Sequence, residues 1–425
     1  MTDSVAVRQP PRPRIRFGVF MPPMHPTNED PTLAIHRDFE LMELLDDLGY
    51  HEAWIGEHHS GGWEIHGSPE LFIAAAAQRT RNIRFGTGVV STPYHHPYMV
   101  AERIRNLDHI TRGRLMFGMG PGSLPSDAHM LGVDTARVRD LLEESIDPIA
   151  RLLNGETVTQ KSDWFTLQDA RLHFLSYKEE GIEMAVASQV SPTGARLAGK
   201  YGMGLLSLGA TSIAGFNALA SNWAIAEESA RDHGQSVNRA GWRLVGPMHI
   251  AETREQARKD VEWGFHRWVD YYRHVATLPL APDGVDPIQA MVDSGFAVVG
   301  TPDDAVEQIE RLIEVSGGFG AFLQLSGNWA DTAATKRSYE LFARYVAPKI
   351  NRVNVNRIES EAFLRANHGQ FAAAMKSAVG AKSTNTWLKK GRKISHRCFR
   401  NFFPSPIPRS HDDSRPDLRD RTGTL

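Results

Sequence analysis

From Ile15 onward the chain alternates two hydrophobic periodicities. Short β-branched runs such as "IRFGVFM" (residues 15–21) lack polar alternation and read as strands buried on both faces. Behind each run, apolar residues recur at helical spacing. After the first, Asp30-Pro31 supplies a cap and a first helical residue, and Ile35, Phe39, Met42 and Leu45 recur until Gly49 stops the helix. The pairing repeats at "AWIGE", "IRFGTGVV", "RLMFGMG", "EMAVAS", "MGLLSLG", "WRLVGPMHI" and "FGAFLQL". Helices are predicted over 69–81, 98–112, 135–153, from Ser191-Pro192 onward, over 212–233 and over 254–275.

Strands alternating with helices imply parallel pairing through crossovers, with both sheet faces covered. Eight such units match a closed (β/α)₈ TIM barrel. An open doubly wound sheet would carry about six strands and a glycine fingerprint after the first, where this chain has "FMPPMHP". Insertions lengthen the barrel: a hairpin excursion over 155–181, a proline-rich segment over 272–298 that reads as a mobile lid, and a helix over 301–315. The expected organisation is a disordered arm over 1–14, the barrel over 15–350, and a C-terminal extension over 351–425, helical at first and then a disordered basic tail.

A formal net charge of -2 over 425 residues gives no global pull toward nucleic acid. One cysteine, Cys398, excludes a disulfide framework and a thiolate zinc site, and no window approaches the roughly 20 apolar residues of a membrane span. These features lead to the expectation of a soluble cytoplasmic protein.

Chemistry concentrates in "AWIGEHHSGGW", where Glu57, His58 and His59 follow the second strand. Active sites of such barrels form at the C-terminal strand ends. Adjacent strand residues point to opposite sides, so His58 and His59 do not share a metal without a break in the strand. The fourth, fifth and sixth strand ends add no carboxylate or imidazole, and no metal is expected. One histidine then remains as a candidate acid or base, the alternative being a structural imidazole. Other strand ends offer Gly86-Thr87-Gly88-Val89, Met119-Gly120 and Ser207-Leu208-Gly209, small and apolar residues that let a flat ring approach the backbone or simply permit tight turns. "FGMGPGS" lacks the helix start that would hold a pyrophosphate. "SQVSPTG" suits an anion better: Ser191 is placed to cap a helix opening at Pro192, with Thr193 alongside and Arg139 as countercharge, although ordinary capping needs only Ser191.

Over about residues 15–348 the chain resembles the bacterial luciferase-like family of flavin-dependent monooxygenases. The resemblance rests on "RFGVFMPP", "DLGYHEAWIGEHH", "SPELFIAAAAQRT", "FGTGVV", "HPYMVAERIRNLDHITRGRLMFGMGPG", "ARLAGKYG" and "VVGTPDDAVEQIERLIE" in this order. It implies a catalytic role for His58 and a third-strand stretch under the flavin, with an unusual cis peptide, at Thr87, Gly88 and Val89. It places Met119 and Gly120 beside the ring, and phosphate contacts at Arg139 and over Ser188, Gln189, Ser191 and Thr193. Met119 and Gly120 stand where luciferase has a reactive cysteine and an arginine, so phosphate charge falls to Arg139 and the helix end. The family implies reduced FMN from a separate NAD(P)H:flavin reductase, O₂ as co-substrate, and a homodimer; some relatives use a deazaflavin and transfer hydride without O₂. "MPPMHPTNEDP" and "EHHSGGWE" are similar to the limonene monooxygenase-like branch, which implies an apolar, terpene-like substrate lined by Met21, Pro23, Trp63 and Leu208.

Overall fold

The computed structural model describes residues 13–276, 280 and 284–385. Its strands are β1 (Arg16–Met21), β2 (Glu52–Ile55), β3 (Arg84–Thr87), β4 (Val90–Ser91), β5 (Leu115–Gly120), β6 (Val158–Lys161), β7 (Thr166–Ala170), β8 (Glu183–Ser188), β9 (Gly204–Ser207), β10 (Trp242–Ile250), β11 (Val298–Gly300) and β12 (Ala321–Leu325). The parallel order β1-β2-β3-β5-β8-β9-β10-β12 returns to β1 and closes an eight-stranded TIM barrel. All eight predicted strands are in it. The excursion folds as the antiparallel β6–β7 hairpin.

Alternate side chains divide into two layers. Phe17, Val19, Ala53, Ile55, Phe117 and Val186 point outward into one cluster shared with the surrounding helices. Their sequence neighbours Phe20, Trp54, Met116, Ala185, Leu206, Val245, Ala321 and Leu323 fill the barrel itself. At its N-terminal end the filling turns ionic. Glu52, fully buried, accepts from Arg243 Nε at 2.9 Å, Arg16 Nε at 2.6 Å and Trp54 Nε1 at 2.9 Å, while Arg243 Nη2 reaches Glu183 at 2.6 Å. Buried charges persist only when paired in this way.

Several helices differ from expectation. The helix predicted over 254–275 is two helices, Arg254–Glu262 and Phe265–His274, broken at Gly264. A Cβ there would stand 2.2 Å from Asn328 O, so the backbones approach too closely for a continuous side-chain-bearing turn. The helix expected from residue 135 starts at Val138, and Pro125 opens a separate short helix, Pro125–Met130, before it. The segment read as a lid contains the helix Pro287–Asp293 among its described residues and ends at Val298, the first residue of β11. Asn351 closes the barrel unit, exchanging two hydrogen bonds of 2.9 Å with the backbone of Ile15.

The chain divides into two compact units, Met1–Asn354 and Val355–Leu425. The second contains the helices Val355–Ala366 and His368–Asn385, with Phe363 and Phe371 packed edge to face at 5.9 Å. Residues 1–12 of the arm expected over 1–14, and residues 386–425 of the C-terminal extension, lie outside the described residues. No helix of the described residues is long and apolar enough to cross a membrane.

Candidate active site

β2 ends at Ile55, and the chain passes directly into Glu57, His58 and His59 at the C-terminal mouth of the barrel. Gly61 and Gly62 follow with φ of +77° and +73°, a left-handed pair that turns the loop back. A Cβ on Gly61 would meet Val275 at 2.8 Å, so the second glycine-specific demand is close approach to the chain just after the helix Phe265–His274. The loop then pairs Glu64 with Met24, and His25 N donates to Trp63 O at 2.8 Å.

This turn brings four polar side chains into line. His58 Nδ1 donates to Asp127 Oδ2 at 2.9 Å, and its Nε2 lies 3.3 Å from Glu64 Oε2. Tyr271 Oη donates to Glu64 Oε1 at 2.6 Å. Asp127 also accepts from His59 N and from Ser60 Oγ. Burial opposes a charge on His58, but Glu64 and Asp127 outweigh it and raise its pKa. Burial likewise raises Glu64 against the pull of His58 and Tyr271. At Asp127 burial is overcome by the bonds from His58 and Ser60, and its pKa is lowered. Asp127, Glu64 and Tyr271 were not singled out in the sequence.

Glu57 takes the opposite side of the loop. Its Oε1 accepts from His59 Nε2 at 2.9 Å and His95 Nε2 at 2.7 Å, and its Oε2 from Ser91 N at 3.0 Å. His95, from the end of the third unit, is an imidazole the sequence reading did not bring here. The three ligand atoms lie within 4.8 Å of one another. Both imidazoles aim at a single carboxylate oxygen at hydrogen-bond distance, so we assign the trio as a brace between the second and third strand ends, not as metal ligands.

The mouth beside this loop is apolar. Val89, Leu208 and Leu325 are half-buried and pack on the barrel filling, and Ala187, also half-buried, lies on the inward side of β8. The Gly88–Val89 peptide is cis. A Cβ on Gly88 would meet Phe20 at 2.9 Å, and one on Gly120 would meet Val89 at 2.6 Å and Ala187 at 3.5 Å, so glycines keep this floor flat.

Other expected site residues fall elsewhere. Thr87 is buried and its hydroxyl is engaged with β5, donating to Gly118 O at 2.8 Å and accepting from Gly118 N at 2.9 Å. Met119 shares the outward parity of Leu115 and Phe117 and is fully buried in the outer cluster, leaving only its backbone toward the mouth. Met21 and Pro23 line a cavity of about 40 Å³ with His25, Asp38 and Asn328, room for water and not for a terpene. Trp63 packs on Tyr271 at 5.4 Å between ring centroids. Of these four, Leu208 packs on the barrel filling at the mouth.

The helix after β8 opens at Thr193, one residue later than expected, with no side-chain cap. Ser191 Oγ instead stands 3.1 Å from Thr193 Oγ1 and 3.4 Å from Thr193 N, and Ser188 Oγ donates to Ser191 O at 3.3 Å. Gln189 and Ser191 are exposed. Arg196 and Lys200 both pair with Glu143 of the helix Val138–Leu153. One turn N-terminal to that contact, Arg139 is exposed and ion-paired with no described residue. Free N–H groups, two hydroxyls and an unused guanidinium suit a phosphate.

Comparison with known proteins identifies the family. Residues 15–318 match the family model described as luciferase-like monooxygenase. The chain is 55% identical to limonene 1,2-monooxygenase of Rhodococcus erythropolis over 80% of this chain and 87% of that one. It is 48% identical to 4-hydroxyprotoasukamycin monooxygenase of Streptomyces nodosus subsp. asukaensis over 80% and 93%. Among solved structures, the oxygenating constituent of 3,6-diketocamphane monooxygenase of Pseudomonas putida, a type II Baeyer-Villiger monooxygenase in complex with FMN, superposes with a TM-score of 0.68. It is 26% identical, and the match covers 79% of this chain and 99% of that one.

Proposed function

This chain belongs to the luciferase-like monooxygenase family, and we propose that it is a two-component flavin enzyme that uses reduced FMN and O₂ to oxygenate a small apolar substrate of terpene type. The observation that carries this reading is the half-buried apolar floor of Val89, Ala187, Leu208 and Leu325 beside His58. A flat ring fits a floor kept low by Gly88 and Gly120. The uncapped helix at Thr193, with Ser191 and Arg139, would hold the phosphate of FMN.

The chemistry that reduced FMN supplies when bound is activation of O₂, one atom of which enters the substrate while the other leaves as water. The protein's part is to exclude bulk water with the apolar floor and to hold a proton at His58 Nε2, oriented by Asp127 on Nδ1. A separate NAD(P)H:flavin reductase would deliver the flavin. The camphane enzyme, described as an oxygenating constituent, is consistent with such a division. We further propose a cytoplasmic homodimer.

The test supplies purified protein with reduced FMN from an added NADH:flavin reductase, with limonene as probe substrate, under ¹⁸O₂. The expected result is a product carrying one ¹⁸O atom. Reduced FMN that fails to bind while a reduced deazaflavin binds would overturn the monooxygenase reading in favour of hydride transfer.

A further inference from the structure

Glu64 stands beside His58 with no part in the proton handling described above. It sits in "GWEIHG" between Trp63 and Ile65, 8% exposed, and its Oε2 has no hydrogen-bond partner among the described residues. An unsatisfied buried carboxylate oxygen is costly. It is held in place by the bridge to Met24 and by Tyr271 Oη on Oε1, and the vacant oxygen is aimed at His58 Nε2, 3.3 Å away.

We propose that Glu64 is a positioning residue for His58: with Asp127 on Nδ1 and Glu64 at Nε2, the imidazole rests as the doubly protonated cation, and the bond from Tyr271 to Oε1 favours the charged form of Glu64 against its burial. The proposal rests on the proton-handling role of His58 given above, and makes that histidine an acid rather than a base. The titratable groups around the pair are Asp127 from the helix Pro125–Met130, Glu57 and His59 from the same loop, and Tyr271 and Tyr272 from the helix Phe265–His274. The three carboxyl groups favour the imidazolium, His59 opposes it, and the two tyrosines stay neutral because burial and Glu64 raise them both.

The sign of each substitution follows. Glu64→Gln removes a negative charge from Nε2 and lowers the pH at which His58 loses its proton. Tyr271→Phe removes the bond that favours the Glu64 carboxylate, so Glu64 retains its proton more readily and the His58 midpoint falls by less. In Glu64→Gln the tyrosine faces a neutral amide, so adding Tyr271→Phe has no further effect, a non-additivity expected only of a chain of contacts.

The experiment is an NMR pH titration of ring-labelled histidines in the full chain without flavin, with the His58 signal assigned by its loss in His58→Ala. The expected result is a midpoint lowered in Glu64→Gln, lowered less in Tyr271→Phe, and no lower in the double variant than in Glu64→Gln. In turnover assays Glu64→Gln should lose rate above neutral pH and recover it below. An unmoved His58 midpoint in Glu64→Gln, or, should that variant not fold, in Tyr271→Phe, overturns the proposal. Unchanged turnover in His58→Ala would instead overturn the catalytic reading of His58, a separate result.

Discussion

Glu52→Gln tests the foundation on which the mouth is built. The carboxylate is fully buried and takes four hydrogen bonds, two of them from Arg243, whose guanidinium also lies over the Trp54 ring at 5.0 Å. Burial opposes its charge, but Arg243 and Arg16 outweigh burial and hold the carboxyl down to about 2 from an ordinary 4.5. That gap corresponds to roughly 3 kcal/mol of folding stability, within the ~3–5 kcal/mol typical of breaking a buried pair from one side. Because the folded value lies below the unfolded one, the contribution is complete above about pH 4.5 and drains away as the pH falls toward 2. Urea unfolding of both proteins at neutral pH, then at steps into acid, should show the amide variant weaker by roughly 3 kcal/mol at neutral pH and the difference narrowing on acidification. Equal stability at neutral pH, or a difference that does not change with pH, would refute the pairing.

Replacing His58 by Ala should leave flavin affinity intact and lower turnover by ~10²–10⁴-fold, checked by steady-state kinetics beside a flavin titration. Arg139→Ala should weaken FMN by roughly tenfold while leaving riboflavin nearly unchanged, since a charge-assisted contact to phosphate contributes about 1.5–3 kcal/mol and this one is exposed; equal losses would remove the phosphate role. Dialysis against EDTA should leave turnover unchanged, and a loss restored by zinc would contradict the brace assigned to Glu57, His59 and His95.

The barrel was legible because its strands are buried on both faces and punctuated by helices, so position along the chain was unmistakable. The same double burial hid the phase of each strand. With no polar face to set parity, Met119 read as lining the mouth, whereas alternation with Met116, Gly118 and Gly120 sends it outward. His58 was legible from its place after β2. Asp127 reaches it from 69 residues away in sequence (127 − 58) and Tyr271 reaches Glu64 from 207 (271 − 64), and neither carries a local sign of its contact. Glu64 did carry one, an acid amid Trp63 and Ile65, and Pro125 marked a helix start that the sequence reading missed. The break at Gly264 depends on the approach of Asn328, which no local periodicity records.

A flavin lying on the apolar floor of the mouth would be excluded by Ala187→Trp, which fills that floor with an indole. Anaerobic calorimetric titration with reduced FMN should show one site per chain in the wild type and none in Ala187→Trp, with the variant's unfolding transition unchanged. Undiminished binding in that folded variant would show that the flavin does not lie on this floor.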